Sequence, residues 1–315
     1  MTPSLQAINL TKRYGQFVAV SKLNLKIEGA KCVGFLGPNG AGKTTTLKLF
    51  TDMIRPTDGH ALINGVDVHE EKRRALSSVG TLIETPEIYP SLTEREALLM
   101  VAELKGVPRK FLEKSVREVA DKVRMKEWLD QKVGRMSKGM KQRINIAAAL
   151  LGDPDIILLD EPTSGLDPRG MNEVREIIKD LKKERRLIFM SSHLLSEVSE
   201  ICDEVALINH GKLMAYGPID EVTSKFSDSG AAIIEVSVLK PLQANVIKKI
   251  KKLPGVKSTE VLDTKRFNLR VSGDVAKTQQ KLLESLVKLK IGVISFKPST
   301  SALEETYLSV FKETA

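Results

Sequence analysis

Gly37-Pro38-Asn39-Gly40-Ala41-Gly42-Lys43-Thr44 is the stretch from which the rest of the chain can be read. It satisfies the pattern G-x-x-x-x-G-K-[ST] at every fixed position. A loop that wraps a phosphate turns tightly and brings its backbone N–H groups close to the anion, and glycine permits both. Lys43 is placed to reach the β- and γ-phosphates of a nucleotide, and the Thr44 hydroxyl to hold Mg²⁺. The flanks fit this reading. Lys31-Cys32-Val33-Gly34-Phe35-Leu36 reads as a short buried strand. Thr45-Thr46-Leu47-Lys48-Leu49-Phe50 reads as a helix whose positive N-terminal end meets the phosphates.

Working outward, Ile156-Ile157-Leu158-Leu159-Asp160-Glu161 is an apolar run that ends in two acids. A fully buried parallel strand has this appearance, and open α/β sheets hold their ligands at the C-terminal ends of such strands. Asp160 suits a Mg²⁺ shell, and Glu161 is placed to orient or deprotonate an attacking water. Leu187-Ile188-Phe189-Met190-Ser191-Ser192-His193 repeats the arrangement and offers His193 to the γ-phosphate. Upstream of the loop, Tyr14 precedes a Gly15-Gln16 turn. A flat aromatic there is a candidate stacking surface for adenine.

The remaining chain divides by pattern. Leu5–Tyr14, Leu23–Ile27, Ala61–Gly65 and Val79–Ile83 read as strands, and Pro86 forbids regular structure just past the last of them. From Ser91 to Leu151 the pattern is helical, opened by the capping-box spacing Thr93-Glu94-Arg95-Glu96. Gly106 and Pro108 mark a stop and a restart, with further helix over Phe111–Trp128. The expectation is a helical insertion, about residues 91–151, on an α/β core.

Composition bounds the reading. The 315 residues are 42% hydrophobic and 28% charged, which suits a folded protein of about two domains. No run approaches the roughly 18 apolar residues that a bilayer span needs. The N-terminal residues lack the shape of a secretion signal. Cys32 and Cys202 each sit in apolar surroundings and read as buried, reduced thiols of a cytoplasmic protein. The net charge is +9, and from Lys225 onward 16 basic residues face 9 acidic ones. That tail has few aromatics to stack bases, so no nucleic-acid partner is expected.

Taken together these residues closely resemble an ATP-binding cassette (ABC) ATPase, from about Leu5 to Gly217. Five elements stand in the family's order: the loop Gly37–Thr44; Met136-Ser137-Lys138-Gly139-Met140, similar to the family's LSGGQ signature; the strand ending Asp160-Glu161; Ser164-Gly165-Leu166-Asp167; and His193. The resemblance implies ATP and Mg²⁺ as ligands. It implies catalytic roles for Lys43, Glu84, Glu161 and His193, and Mg²⁺ held through Thr44, Glu84 and Asp160. It further implies nucleotide contacts from Tyr14, the loop residues through Thr45, Asp160, Ser137, Gly139 and Asp167.

In the family the signature of one subunit meets the ATP held by the other, so a homodimer sandwiching two ATPs is expected. Two departures stand out. Lys138 and Met140 replace the signature's Gly and Gln. Glu84 stands where the family usually has Gln, which resembles the branch that exports peptide antibiotics or confers self-immunity to them.

The tail after Gly217-Pro218 and Ser227-Asp228-Ser229-Gly230 alternates as β-α-β-β-α-β. The expected architecture is therefore α/β. It is a phosphate-loop NTPase cassette over residues 1–225, with a mixed sheet core, an antiparallel β subdomain and the helical subdomain. A C-terminal α+β ferredoxin-like domain occupies 226–315, expected to be structural or dimer-stabilising. Ala302–Leu308 resembles the closing helix of many exporter ATPases. The implied function is the ATP-hydrolysing subunit of an exporter of a drug, a peptide antibiotic or a lipid-like substrate. It would work with separate membrane-spanning permease subunits, peripheral on the cytoplasmic face of the membrane, with a coupling surface near residues 84–90. The alternatives are an importer ATPase with a regulatory tail, or a soluble ABC ATPase without a transport role.

Overall fold

The computed structural model describes residues 2–84, 89–226, 231–272, 275–289 and 291–298. Contacts divide the chain into two units, Met1–Pro218 and Ile219–Ala315.

In the first unit the chain runs β1 (Ser4–Tyr14), β2 (Phe17–Glu28), β3 (Cys32–Leu36), α1 (Lys43–Phe50), β4 (Asp58–Ile63), β5 (Val66–Asp67), α2 (Lys72–Leu76) and β6 (Val79–Leu82). Three longer helices come next, α3 (Glu94–Leu104), α4 (Leu112–Lys122) and α5 (Lys138–Leu150). Then come β7 (Ile156–Leu159), α6 (Pro168–Lys183), β8 (Leu187–Ser192), α7 (Leu195–Ile201), β9 (Glu204–Asn209) and β10 (Lys212–Pro218).

Two sheets carry this unit. One is antiparallel, in the order β2-β1-β4-β5. The other is mixed, in the order β10-β9-β3-β8-β7-β6, parallel except where β10 pairs with β9. Every residue of β3, β7 and β8 is buried, as strands covered on both faces must be. One apolar core joins the sheets, with Leu10, Val20, Leu23 and Ile27 from the first meeting Phe35, Leu47, Phe50 and Phe189 around α1. The Phe35 and Phe189 rings lie 5.1 Å apart. Burial of such aromatics dominates the energetics of a core.

The helical insertion starts where its capping box predicts. Thr93 accepts from the Glu96 N–H, and Glu96 reaches back to the Thr93 N–H. α3, α4 and α5 pack on one another. The helix expected over Phe111–Trp128 is cut short: α4 ends at Lys122, Arg124 turns left-handed at φ 58°, and Lys126–Trp128 is a separate short turn. Val123 and Met125, fully buried on either side of Arg124, hold the chain in that turn. The strand expected over Ala61–Gly65 starts earlier, because β4 already pairs with β1 from Asp58.

The second unit holds α8 (Ile219–Phe226), β11 (Ala231–Val238), α9 (Ala244–Ile250), β12 (Val256–Val261), β13 (Arg266–Ser272), α10 (Val275–Lys288) and β14 (Val293–Pro298). Its sheet runs β12-β13-β11-β14 with every neighbour antiparallel. That is the strand order of a ferredoxin-like β-α-β-β-α-β unit. Ile234, Val236, Phe267 and Leu269 from the sheet pack with Ile250, Leu282 and Leu286 from the helices. The division falls after β10, so α8 groups with the tail rather than with the cassette, where the expected boundary at 225 would put it. The segment Ala302–Leu308 lies outside the described residues. Among the described residues no helix is long and apolar enough to cross a membrane.

Candidate active site

The phosphate loop lies between β3 and α1, at the C-terminal edge of the mixed sheet. Two of its glycines are forced. A Cβ at Gly42 would come 2.4 Å from the Ala19 carbonyl oxygen, and one at Gly37 would come 2.3 Å from that of Ile208. Gly42 is also left-handed, at φ 104°, and no side chain caps the helix that starts after it. The first-turn N–H groups of α1 therefore face the loop.

Lys43 is only 5% exposed. Its ammonium donates to the Gly37 carbonyl at 2.8 Å and to the Pro38 carbonyl at 3.1 Å, and lies 3.3 Å from Glu161 Oε1. Glu161 stands past the end of β7 at φ 42°. Its other oxygen meets His193 Nδ1 at 2.9 Å, past the end of β8. Lys43, Glu161 and His193 are 118 and 32 residues apart in sequence, and adjacent parallel strands bring them into one chain of contacts. Ser191 braces this chain from below. Its hydroxyl donates to Asp160 Oδ1 at 2.6 Å and accepts from the Glu161 N–H at 2.9 Å. A cavity of about 220 Å³ opens over the loop, lined by Phe17, Asn39, Gly40, Lys43, Thr44 and Glu161 among others.

Comparison with known proteins agrees. A family model described as "ABC transporter" matches residues 20–164. The bacitracin transport ATP-binding protein BcrA of Bacillus licheniformis is 41% identical over 71% of this chain and 73% of its own length. The chain belongs to the ABC transporter ATP-binding subunits. The linearmycin resistance ATP-binding protein LnrL of Bacillus subtilis is 32% identical over 74% of this chain and 75% of its own. A solved structure of an ATP-binding subunit of an ABC transporter superposes with a TM-score of 0.63 at 27% identity, covering 70% of this chain and 92% of that one. This family hydrolyses ATP to power transport.

The cassette's other motif residues stand in a second cavity, of about 590 Å³, whose lining includes Trp128, Ser137, Gly139, Met140, Arg143 and Asp167. Ser137 is the N-cap of α5 and accepts from the Met140 N–H at 3.2 Å. Asp167 is the N-cap of α6 and accepts from the Gly170 N–H. Lys138, one of the two departures from the signature, lays its ammonium over Gly165 in the loop before α6. Gln142 donates to the Pro162 carbonyl at 2.7 Å, which ties α5 to the loop carrying Glu161.

Glu84 and Tyr14 take positions that sequence alone did not show. Glu84, left-handed at φ 57°, pairs its carboxylate with Lys48 of α1 at 2.5 Å. Lys48 is four residues past Thr44, so both stand on one face of α1. Residues 85–88, part of the expected coupling surface, lie outside the described residues. Tyr14 stands at the end of the β1–β2 hairpin, paired with Phe17, and carries the Lys12 ammonium 5.1 Å from its ring centre. Phe17 is the aromatic that lines the phosphate-loop cavity. Sequence reasoning passed over Phe17, and a second aromatic three residues after Tyr14 was its available signal.

Among the described residues no group of three or more His, Cys, Asp and Glu could hold a metal ion. Thr44 lines the phosphate-loop cavity, and Asp160, beside Glu161 in sequence, has one oxygen taken by Ser191; a hydroxyl and a carboxylate are a sparse pair of oxygen donors. That fits Mg²⁺, which takes its remaining ligands from water and phosphate. The two cysteines are free and buried, and their sulfurs lie 3.6 Å apart. Contact with Cys32, then burial, pushes the Cys202 thiol well above its ordinary range.

Proposed function

We propose that this subunit binds Mg–ATP in the phosphate loop and hydrolyses it as a homodimer, each copy presenting Ser137 and Gly139 to the other's γ-phosphate. The observation that carries this reading is the separation of the two half-sites. The cavity over the phosphate loop and the cavity beside Ser137 share no lining residue, so the signature face needs a second phosphate loop to meet.

Within a half-site the roles rest on the contacts. The buried Lys43 ammonium holds the terminal phosphates. Its carbonyl partners fix its direction, and charge-assisted hydrogen bonds to phosphate are strong in so dry a position. Glu161 orients the attacking water and accepts its proton. His193 holds Glu161 from the far side and faces the γ-phosphate. Thr44 and Asp160 would hold Mg²⁺, with Glu84 able to join on leaving Lys48, and the bound ion would supply charge stabilisation to the phosphates. Tyr14 and Phe17 at the hairpin end supply a stacking surface for the base.

The dimer would energise separate membrane-spanning permease subunits from the cytoplasmic face of the membrane, through the segment that begins at Glu84. The names of the bacitracin and linearmycin relatives, together with Glu84, support export of a peptide antibiotic, a drug or a lipid-like molecule. Glu161→Gln tests the dimer. ATP is expected to bind normally while turnover falls by more than about a hundredfold, and the chain is expected to elute as a dimer in ATP. A monomeric elution profile at saturating ATP would count against the two-copy site.

A further inference from the structure

Glu197 lies in the first turn of α7, four residues after His193, and is 1% exposed. A carboxylate so deep is normally paired with a cation. This one is held by two hydroxyls. Thr163 Oγ1 donates to Oε1, and Ser192 Oγ donates to Oε2 at 2.9 Å. Thr163 is itself 2% exposed, and so is Ser192. Ser192 Oγ also accepts from the Leu194 N–H at 2.9 Å, and the Ser192 carbonyl accepts from the Gly37 N–H at 3.4 Å.

The two hydroxyls flank the reacting pair. Thr163 stands two residues after Glu161, and Ser192 stands immediately before His193. The Glu197 carboxylate therefore bridges the same two loops that Glu161 and His193 bridge at 2.9 Å, one layer deeper. A carboxylate is suited to the task because it accepts at both oxygens and takes two O–H donors at once. An amide would offer one acceptor and force the other hydroxyl to turn away.

We propose that Glu197 is a positioning residue for ATP hydrolysis, fixing the spacing of the Glu161 and His193 loops through Thr163 and Ser192. The inference rests on the roles proposed above for Glu161 and His193. It adds a residue that touches neither ATP nor water and acts through its neighbours.

The experiment is steady-state ATPase kinetics on the full-length chain, with the folded fraction and nucleotide affinity measured on the same samples. Glu197→Gln is expected to lower kcat about tenfold, the usual scale for losing a partner that orients a reacting group, with KM for ATP unchanged within about twofold. Thr163→Val, equal in volume, lowers kcat in the same way. Thr163→Ser restores it, and Thr163→Val adds nothing further in a Glu197→Gln background. Wild-type kcat in either Glu197→Gln or Thr163→Val overturns the proposal, as does a loss that merely tracks the folded fraction. If Glu197→Gln does not fold, the Thr163 pair alone decides. His193→Ala is measured alongside. Full turnover there removes the reading of His193 and this proposal with it, whereas a slow His193→Ala beside a normal Glu197→Gln removes only this proposal.

Discussion

The cavity over the phosphate loop and the cavity beside the signature are built on opposite plans. Over the phosphate loop, charged groups are already joined: Lys43 touches Glu161, Glu161 touches His193, and Ser191 ties Asp160 to the Glu161 backbone. Beside the signature, the two motif residues Ser137 and Asp167 are each engaged with their own helix. Ser137 caps α5 and Asp167 caps α6. The first plan preorganises a reaction, which lowers the reorganisation needed at the moment of bond cleavage. The second keeps a helix start intact until an anion from elsewhere displaces or joins the cap. On the two-copy site proposed above, hydrolysis would depend on bringing the second surface to the first.

The largest effect should fall on the preassembled side. Lys43→Ala is expected to weaken ATP binding by more than about a hundredfold, because it removes the buried cation, and nucleotide titration by fluorescence would read it. Unchanged affinity would show that the loop amides alone hold the phosphates. Next comes the receptive side. Ser137→Ala is expected to lower turnover about tenfold and leave ATP affinity intact, with about 1 kcal/mol of stability lost with the cap. Wild-type turnover in that variant would break the comparison, since Ser137 would then be only a cap.

The hairpin end sharpens the first plan. Tyr14→Ala is expected to weaken ATP affinity about tenfold, the scale of one stacked base, while Tyr14→Phe keeps it. Phe17→Ala, measured beside them, reports how much of the platform belongs to the aromatic that lines the cavity.

The smallest effect lies in the helical insertion. Glu94 is fully buried in the first turn of α3, with neither carboxylate oxygen hydrogen-bonded. Burial pushes its carboxyl up to about 7, with the Arg143 charge pulling the other way. The folded state thus binds this proton more tightly than the unfolded chain does. The resulting stability is full below about pH 4.5 and is lost as pH rises through about 7. Glu94→Gln should raise the melting temperature by a few degrees at pH 8 and change it little at pH 4.5. Equal shifts at both values would mean the carboxyl stays ionised throughout.

The reach of the sequence depends on what is contiguous in it. The phosphate loop packs its glycines, lysine and threonine into Gly37–Thr44, and the capping box of α3 into Thr93–Glu96, so both could be read locally. Asp160-Glu161 and His193 were legible because each ends an apolar run that has to be a buried strand. The braces were not legible. Ser191 meets Asp160 across 31 residues, and Thr163 meets Glu197 across 34, through the pairing order β3-β8-β7 that no local pattern states. Glu94 reads like any solvated first-turn acid, and its burial is set by the packing of α3 on α5. Arg124 breaks a helix whose apolar spacing continues past it, because the buried neighbours on both sides decide the turn.

The paired thiols of Cys32 and Cys202 have a practical consequence. They are the only cysteines in the chain, and both are buried, Cys32 at the start of the strand that feeds the phosphate loop and Cys202 facing it from the end of α7. The native surface is therefore blank to maleimide chemistry. A single cysteine introduced on an exposed position would take a spin label or fluorophore without any prior removal of native residues. Probe-to-probe distances could then track the approach of two copies as nucleotide is added.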